Sequence, residues 1–422
     1  MGHQIERFTL ALTGDSIVTR RGRIAGDPAA GELAERIQAA DAAFTNLEFL
    51  PNDFAGYPAL ESGGSHLAAR AGVLDDLRDA GFALFACATN HALDYSIEGL
   101  LATIERLDER GIVYAGVGRT LTDARRPAYL DTPAGSVALL SACSTFATGQ
   151  EAAEPLAGLL GRPGLNPLRF DTVYEVTADH LTTLQTIAEQ LGLEQQRLSR
   201  IHLGFAFPPD EPEVFPFLDT NFRAATRPAV RQTPKAADLD GISAWVADAR
   251  NRADLVVVSI HAHEEGASKE DPAPFLQPFA HRMIELGADV VVGHGPHLLR
   301  GMEMHQGRPI FYSLGNFVGQ NEFVERLPRD SYDRFRTDPA LPPSLMFRNR
   351  NEDDARGFPS DRRFWETIMP VLRYAEGRLA EIEIVPVTLG LDDGPRRRGR
   401  PRLACGEEGA AILDRFAALS RP

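Results

Sequence analysis

The sequence predicts an α/β fold with parallel strands, and three observations carry that prediction. Short apolar runs alternate with amphipathic helix patterns in units of roughly 30 to 40 residues, the spacing of strand–helix–strand crossovers. The runs are apolar at consecutive positions, as in Val290-Val291-Val292, which suits a strand covered on both faces. Each run also stops abruptly at a glycine or at a polar residue able to hold a proton or a cation.

Taken in order, a first strand over 8–13 stops at Gly14-Asp15, and a helix over 31–40 leads to a second buried strand over 42–45, ending at Asn46-Leu47-Glu48. Leu67, Ala71, Leu74 and Leu77 share a helical face over 67–80; Gly81 closes it, and a strand over 82–88 ends at Thr89-Asn90-His91. Ile97, Leu100, Leu101, Ile104 and Leu107 form the next helix stripe, closed by Gly111 before a strand over 112–115. A hairpin is expected over 127–141 around Pro133-Ala134-Gly135.

Residues 149–238 break the alternation. They hold a Gly/Pro-punctuated loop over 161–167, a helix near 179–191 and a proline-rich acidic run over 207–217, and they read as an insertion that covers a pocket. The alternation resumes with a helix over 239–251, a buried strand over 255–260 ending at His261-Ala262-His263-Glu264-Glu265, a helix over 274–286, and a strand from Asp289 ending at Gly293-His294-Gly295-Pro296-His297. Beyond 317 the chain turns polar and irregular to 362, followed by strands over 367–374 and 379–389 and a terminal helix over 410–419.

A chain of 422 residues with 43% hydrophobic content can bury a large core. Its net charge of −15 excludes a general nucleic-acid binder, because a phosphate backbone is repelled over most of the surface. Cys87, Cys143 and Cys405 lie far apart, so spacing supports neither a disulfide framework nor a thiolate zinc site, and Cys87 and Cys143 read as core residues. No segment approaches the ~18 apolar residues of a membrane span, and the start lacks a signal-peptide pattern, so a cytoplasmic location without membrane contact is expected. The oligomeric state stays open.

Function concentrates at the strand ends: Asp15, Glu48, the pair Asn90 and His91, the group His261, His263 and Glu265, and the pair His294 and His297. In open α/β sheets the ligand site lies beyond the carboxyl ends of the strands, which brings these corners into one cleft. Imidazole, carboxylate and amide oxygen without cysteine suit one or two divalent transition metal ions, Mn, Zn or Fe, held for chemistry. No Gly-x-Ser-x-Gly elbow or phosphate-binding Gly-x-x-x-x-Gly-Lys competes, and Gly116-Val117-Gly118 lacks the third glycine of a dinucleotide loop.

Gly14-Asp15, Asn46-Leu47-Glu48, Asn90-His91-Ala92-Leu93-Asp94, the 261–265 segment, Gly293-His294-Gly295-Pro296-His297 and Tyr312-Ser313-Leu314-Gly315-Asn316-Phe317 resemble, in order, the signature blocks of the CapA family. That is the poly-γ-glutamate capsule-synthesis group, related to calcineurin-like metallophosphatases. The resemblance implies a four-layer αββα sandwich of the metallophosphatase type, one domain over 1–422 with 149–238 as an inserted cap. It makes Asp15 and His297 ligands of one metal, Asn90, His261 and His294 ligands of the other, and Glu48 the bridging carboxylate. His91 stands where a proton donor belongs, with Asp94 orienting it, and Glu265 matches an acidic position near the cleft.

The sequence departs from the metallophosphatase pattern at three points. Ile17 replaces a histidine ligand, Glu48 replaces an aspartate, and the final histidine pair is spaced by two residues rather than one. His263 and Glu265 are the available substitutes. The implied activity is metal-dependent hydrolysis by a metal-activated water, leaning to amide, γ-glutamyl-like bonds. The alternatives are a calcineurin-like phosphoesterase and a non-catalytic assembly factor of polyglutamate or capsule formation. A small-molecule or peptide-like anionic substrate needs cationic partners, for which Arg162, Arg223 and Arg300 are candidates. The arginines within 396–402 read as an exposed loop or, alternatively, a polyanion patch.

Overall fold

The computed structural model describes residues 5–22 and 24–420. The fold is mixed α/β and is carried by two large sheets. In the eight-stranded sheet, Arg7–Ile17 lies centrally, with Ala42–Leu47, Leu84–Ala86 and Val113–Ala115 following in parallel on one side. Glu366–Ala375, Arg378–Thr388 and Arg402–Leu403 continue antiparallel on the other side, and Asn316–Gly319 pairs with the end of Arg7–Ile17. The six-stranded sheet runs Leu299–His305, Arg308–Leu314, Val290–His294, Leu255–His261, Gly135–Cys143, Ala128–Thr132, parallel at its centre and antiparallel at both edges.

The uninterrupted apolar runs follow from burial on both faces. Successive residues of a strand point to opposite sides, so Phe8, Leu10 and Leu12 enter one core cluster while Ala11 enters another. Leu255 and Val257 join Val290, Val292, Phe44 and Leu84 in a cluster that draws on both sheets. Val256, Val258 and Val291 face the other way, onto Val246, Phe279 and Met283 of helices Ala236–Arg250 and Leu276–Glu285. On the outer side of the larger sheet, Leu33, Leu77 and Ile104 come from helices Gly31–Gln38, Val73–Asp79 and Ser96–Asp108. Each such side chain contributes roughly 1.5–3 kcal/mol of burial, which fixes the register of the strands that end at the site.

Three local expectations change. The helix expected over 67–80 begins only at Val73, because Leu67 to Ala69 runs extended beside Leu50: Leu50 N donates to Leu67 O (3.0 Å) and Ala69 N to Leu50 O (2.9 Å). Apolar spacing there reflects burial, not helix. Residues 149–238 contain a four-stranded sheet, Phe215–Phe217, Thr220–Ala224, Phe170–Val176 and Ala229–Pro234, and a second helix, Leu193–His202, besides the expected one at Ala178–Gln190. The stretch expected to be irregular up to 362 holds helices Arg329–Arg334 and Pro343–Arg350.

The arginine-rich loop is not a free basic patch. Arg397 pairs with Asp27, Arg398 with Glu322 and Asp354, and Arg402 with Asp393 and Glu408. Among the described residues, no helix is long and apolar enough to cross a membrane.

Candidate metal centre

The ends of both sheets meet at one buried cluster. His261 and His294 are register partners at the ends of neighbouring parallel strands, and Asp15 is the register partner of both Asn46 and Asn316. Gly14 permits that meeting: a Cβ there would lie 1.9 Å from Gly315 O, whereas Asp15 N donates to that same oxygen at 2.8 Å. The register shifts at Asp15 on both sides of its strand turn the carboxylate toward the histidines.

Donor atoms converge on His261 Nε2. Asn90 Oδ1 is 3.0 Å away, His263 Nε2 3.1 Å and Glu48 Oε1 3.6 Å, and His297 Nε2 is also 3.6 Å from Glu48 Oε1. Among the described residues, Glu48, His263 and His297 form a group whose ligand atoms all lie within 4.8 Å of one another. Asp15 sits behind them: Oδ1 accepts from Asn46 Nδ2 (2.8 Å) and lies 3.5 Å from His294 Nδ1, while Oδ2 accepts from Gly295 N (3.2 Å) and lies 3.6 Å from His297 Nδ1. His297 thus stands 3.6 Å from Asp15 through Nδ1 and 3.6 Å from Glu48 through Nε2.

The residues fit a cation. Both oxygens of Glu48 and both ring nitrogens of His294 are buried without a hydrogen-bond partner. An orphaned buried polar group costs about 1–3 kcal/mol, and more when charged, so binding of a cation or water that satisfies such a cluster is favoured. Nitrogen and oxygen donors in this mixture suit Mn, Zn or Fe.

Electrostatics prepares the ligands. Burial pushes His261 down to about 3, only partly opposed by Asp15, and burial also lowers His263 and His297. All three rings are thereby held toward the neutral form, the one that can offer a lone pair to a metal. Burial would raise Asp15, but neighbouring His294, with His261 and His297, outweighs it and leaves the carboxyl below its ordinary range. Glu48 goes the other way: burial, then the charges of Asp15 and Asp94, raise it. A nearby cation would reverse that balance.

His91 lies beside the cluster. Asp94 Oδ2 accepts from His91 Nδ1 and from Leu67 N, both at 2.7 Å, which fixes the ring and leaves Nε2 facing a cavity of about 330 Å³. Gly63 makes room for it, since a Cβ there would stand 2.5 Å from Asn90 Nδ2 and 2.8 Å from His91 Nε2. His263, His297 and Glu265 also line the cavity, and Phe347, Asn351 and Phe358 form its outer wall. No residue of 149–238 is among the described lining residues, whereas residues within 321–364 contribute to the lining.

The three arginine candidates lie away from the cavity. Arg162 pairs with Glu151 and Arg223 with Glu175 and Glu211, all within the 149–238 region. Arg300 is buried behind the 261–265 loop, its Nε donating to Lys269 O at 3.0 Å. Two asparagines to which the sequence pattern assigns no role also belong to the site. Asn46 bridges Asp15 and His261, and Asn316 holds His297. Their signal is their place beside the glycines and carboxylates of the strand ends.

Fold and cluster together define a mixed α/β protein in which a cysteine-free group of glutamate and histidine side chains that could hold a metal ion lies where two sheets end. The chain belongs to the family of bacterial capsule synthesis proteins called PGA_cap, which matches residues 9–321. It is similar to the uncharacterized protein y4sH of Sinorhizobium fredii, 34% identical over 430 residues, covering 99% of this chain and 90% of that one. It is also similar to the capsule biosynthesis protein CapA of Bacillus anthracis, 25% identical over 74% of this chain and 60% of that protein. For the PGA biosynthesis protein CapA of Bacillus subtilis the figures are 24%, 57% and 44%.

Proposed function

We propose that this protein is a metal-dependent hydrolase, acting on amide bonds of the γ-glutamyl type in a peptide-like anionic substrate. The observation that carries the reading is the set Glu48, half-buried His263 and His297, with His261 beside them and unpartnered atoms on Glu48 and His294, lying next to a carboxylate-oriented histidine at a cavity. Glu48, His263 and His297 would hold the ion, with His261 and Asn90 beside them and Asp15 and His294 behind or at a second position. The layering of helices, two sheets and helices supports a sandwich of the metallophosphatase type. The names of the Bacillus relatives direct the choice of substrate toward polyglutamate.

A bound metal supplies Lewis acidity and lowers the pKa of water toward neutrality. The chain's own residues do the rest. His91, with Nδ1 held by Asp94, presents Nε2 to the cavity to deliver a proton to the departing nitrogen. Asn46 keeps Asp15 and His261 in register, and Asn316 turns His297. The outer wall of Phe347 and Phe358 limits water. The same parts would serve a phosphoester, so the scissile bond is decided by assay. The Mn- or Zn-loaded chain, offered γ-glutamyl peptides and phosphodiesters side by side, should turn over the former faster. Turnover of neither, with metal bound, would remove the hydrolase and leave an assembly role.

A further inference from the structure

The net charge of −15 means that most of the surface repels an anion, so an anionic substrate needs a local reversal of field. The cavity above the metal centre provides one. Among its described lining residues, Lys269 and Arg350 are the cations other than histidine, and neither makes an ion pair among the described residues. Arg350 Nη1 donates to Ser65 Oγ (3.1 Å) and its guanidinium lies 4.0 Å over the Phe335 ring, so the fork is oriented before any ligand arrives. Lys269 lines the same cavity as His297. Of the two carboxylates of the same cavity, Glu322 accepts from Arg398 (3.1 Å) and Asn351 (3.0 Å), which leaves Glu265 facing two cations.

We propose that Arg350 and Lys269 form a carboxylate subsite which selects, for the centre below, substrates carrying an acid group beside the scissile bond. This rests on the cavity being the substrate site of the proposed hydrolase. Arg350 lies beyond the 9–321 family match and Lys269 within it, so the subsite joins the matched part of the chain to the segment that follows it. Two cations at one cavity suit a bidentate contact from the guanidinium and a point charge from the ammonium.

Calorimetric titration of glutarate into the metal-loaded full chain reads the subsite without turnover. Butyrate, which keeps one carboxylate for the cation centre itself, is the control. Wild type should bind glutarate more tightly than butyrate, and R350Q and K269Q should each cut that preference by roughly ten-fold at unchanged metal content. R350K, which keeps the charge but not the fork, should fall between. Equal affinity for the two acids in wild type, or an undiminished preference in R350Q and K269Q, overturns the subsite. Turnover of γ-glutamyl-p-nitroanilide is a separate readout: a glutarate preference that depends on Arg350 without any turnover removes the hydrolase and keeps the subsite.

Discussion

Asn316 Oδ1 lies 2.9 Å from His297 Nδ1, while its amide nitrogen donates to the carbonyls of His297 (3.3 Å) and Phe364 (3.0 Å). With both amide protons directed at carbonyls, the oxygen must face the ring. His297 Nδ1 therefore carries the proton, and the lone pair of Nε2 faces Glu48. The same contact holds His297 at φ +62°, a conformation rare outside glycine and one that persists only where the surroundings impose it. Asn316→Ala should lower metal affinity about 10- to 100-fold while the fold survives. Competition against a chromogenic chelator measures it, and unchanged affinity would show that the ring orients itself.

Asp94→Asn weakens the contact that fixes the His91 ring, whose Nδ1 lies 2.7 Å from Asp94 Oδ2. Turnover should fall by about 10²-fold or more with metal content intact. Unchanged turnover would take His91 out of the reaction.

Two glycines make opposite predictions. Gly14→Ala forces a backbone carbonyl aside and should destabilise the protein by roughly 1–3 kcal/mol or more, read as a lower denaturant midpoint. Gly63→Ala meets only the ends of Asn90 and His91, so stability should change little while turnover drops by up to about 10²-fold. The reverse pattern would mean that the Gly63 contact is structural.

A pH test lies outside the site. Asp238 is buried and accepts from Arg125 (3.0 Å) and from Arg169 Nε (2.7 Å) and N (3.0 Å). Burial alone would raise its carboxyl, but the Arg169 hydrogen bonds and the Arg125 charge prevail and hold it below the ordinary range. A lowered folded value means the stabilisation is complete above the unfolded value of about 3.9 and disappears as pH falls through the folded one. Asp238→Asn should cost about 3–5 kcal/mol in urea unfolding at pH 7, with the gap to wild type closing in acid. A gap that stays constant down to pH 3 would contradict the assignment.

The strand ends were legible because burial on both faces writes itself as unbroken runs such as Val290-Val291-Val292, and the polar residue that ends such a run must sit at a corner. Asp15, Glu48, Asn90, His261, His263, His294 and His297 come together for that reason. The 67–80 stretch misled because extended burial beside Leu50 mimics helical spacing over so few residues. Arg162, Arg223 and Arg300 stand out only by their place in the insertion and the site loop, and nothing local in a sequence reveals that a carboxylate such as Glu175 already holds Arg223. The lining from 321–364 is hidden in the sequence because its polar, irregular composition does not show that Phe358 packs on His297 or that Phe347 reaches the same cavity.

Every role assigned to these side chains depends on a cation held by the joined sheet ends. Elemental analysis of the full chain purified without chelator, followed by anomalous scattering from its crystals, tests this most directly. The expected result is about one or two equivalents of Mn, Zn or Fe, with the peak among Glu48, His263 and His297 and lost in His297→Ala. Less than about half an equivalent with no gain on adding metal, or a peak bound elsewhere, would contradict it.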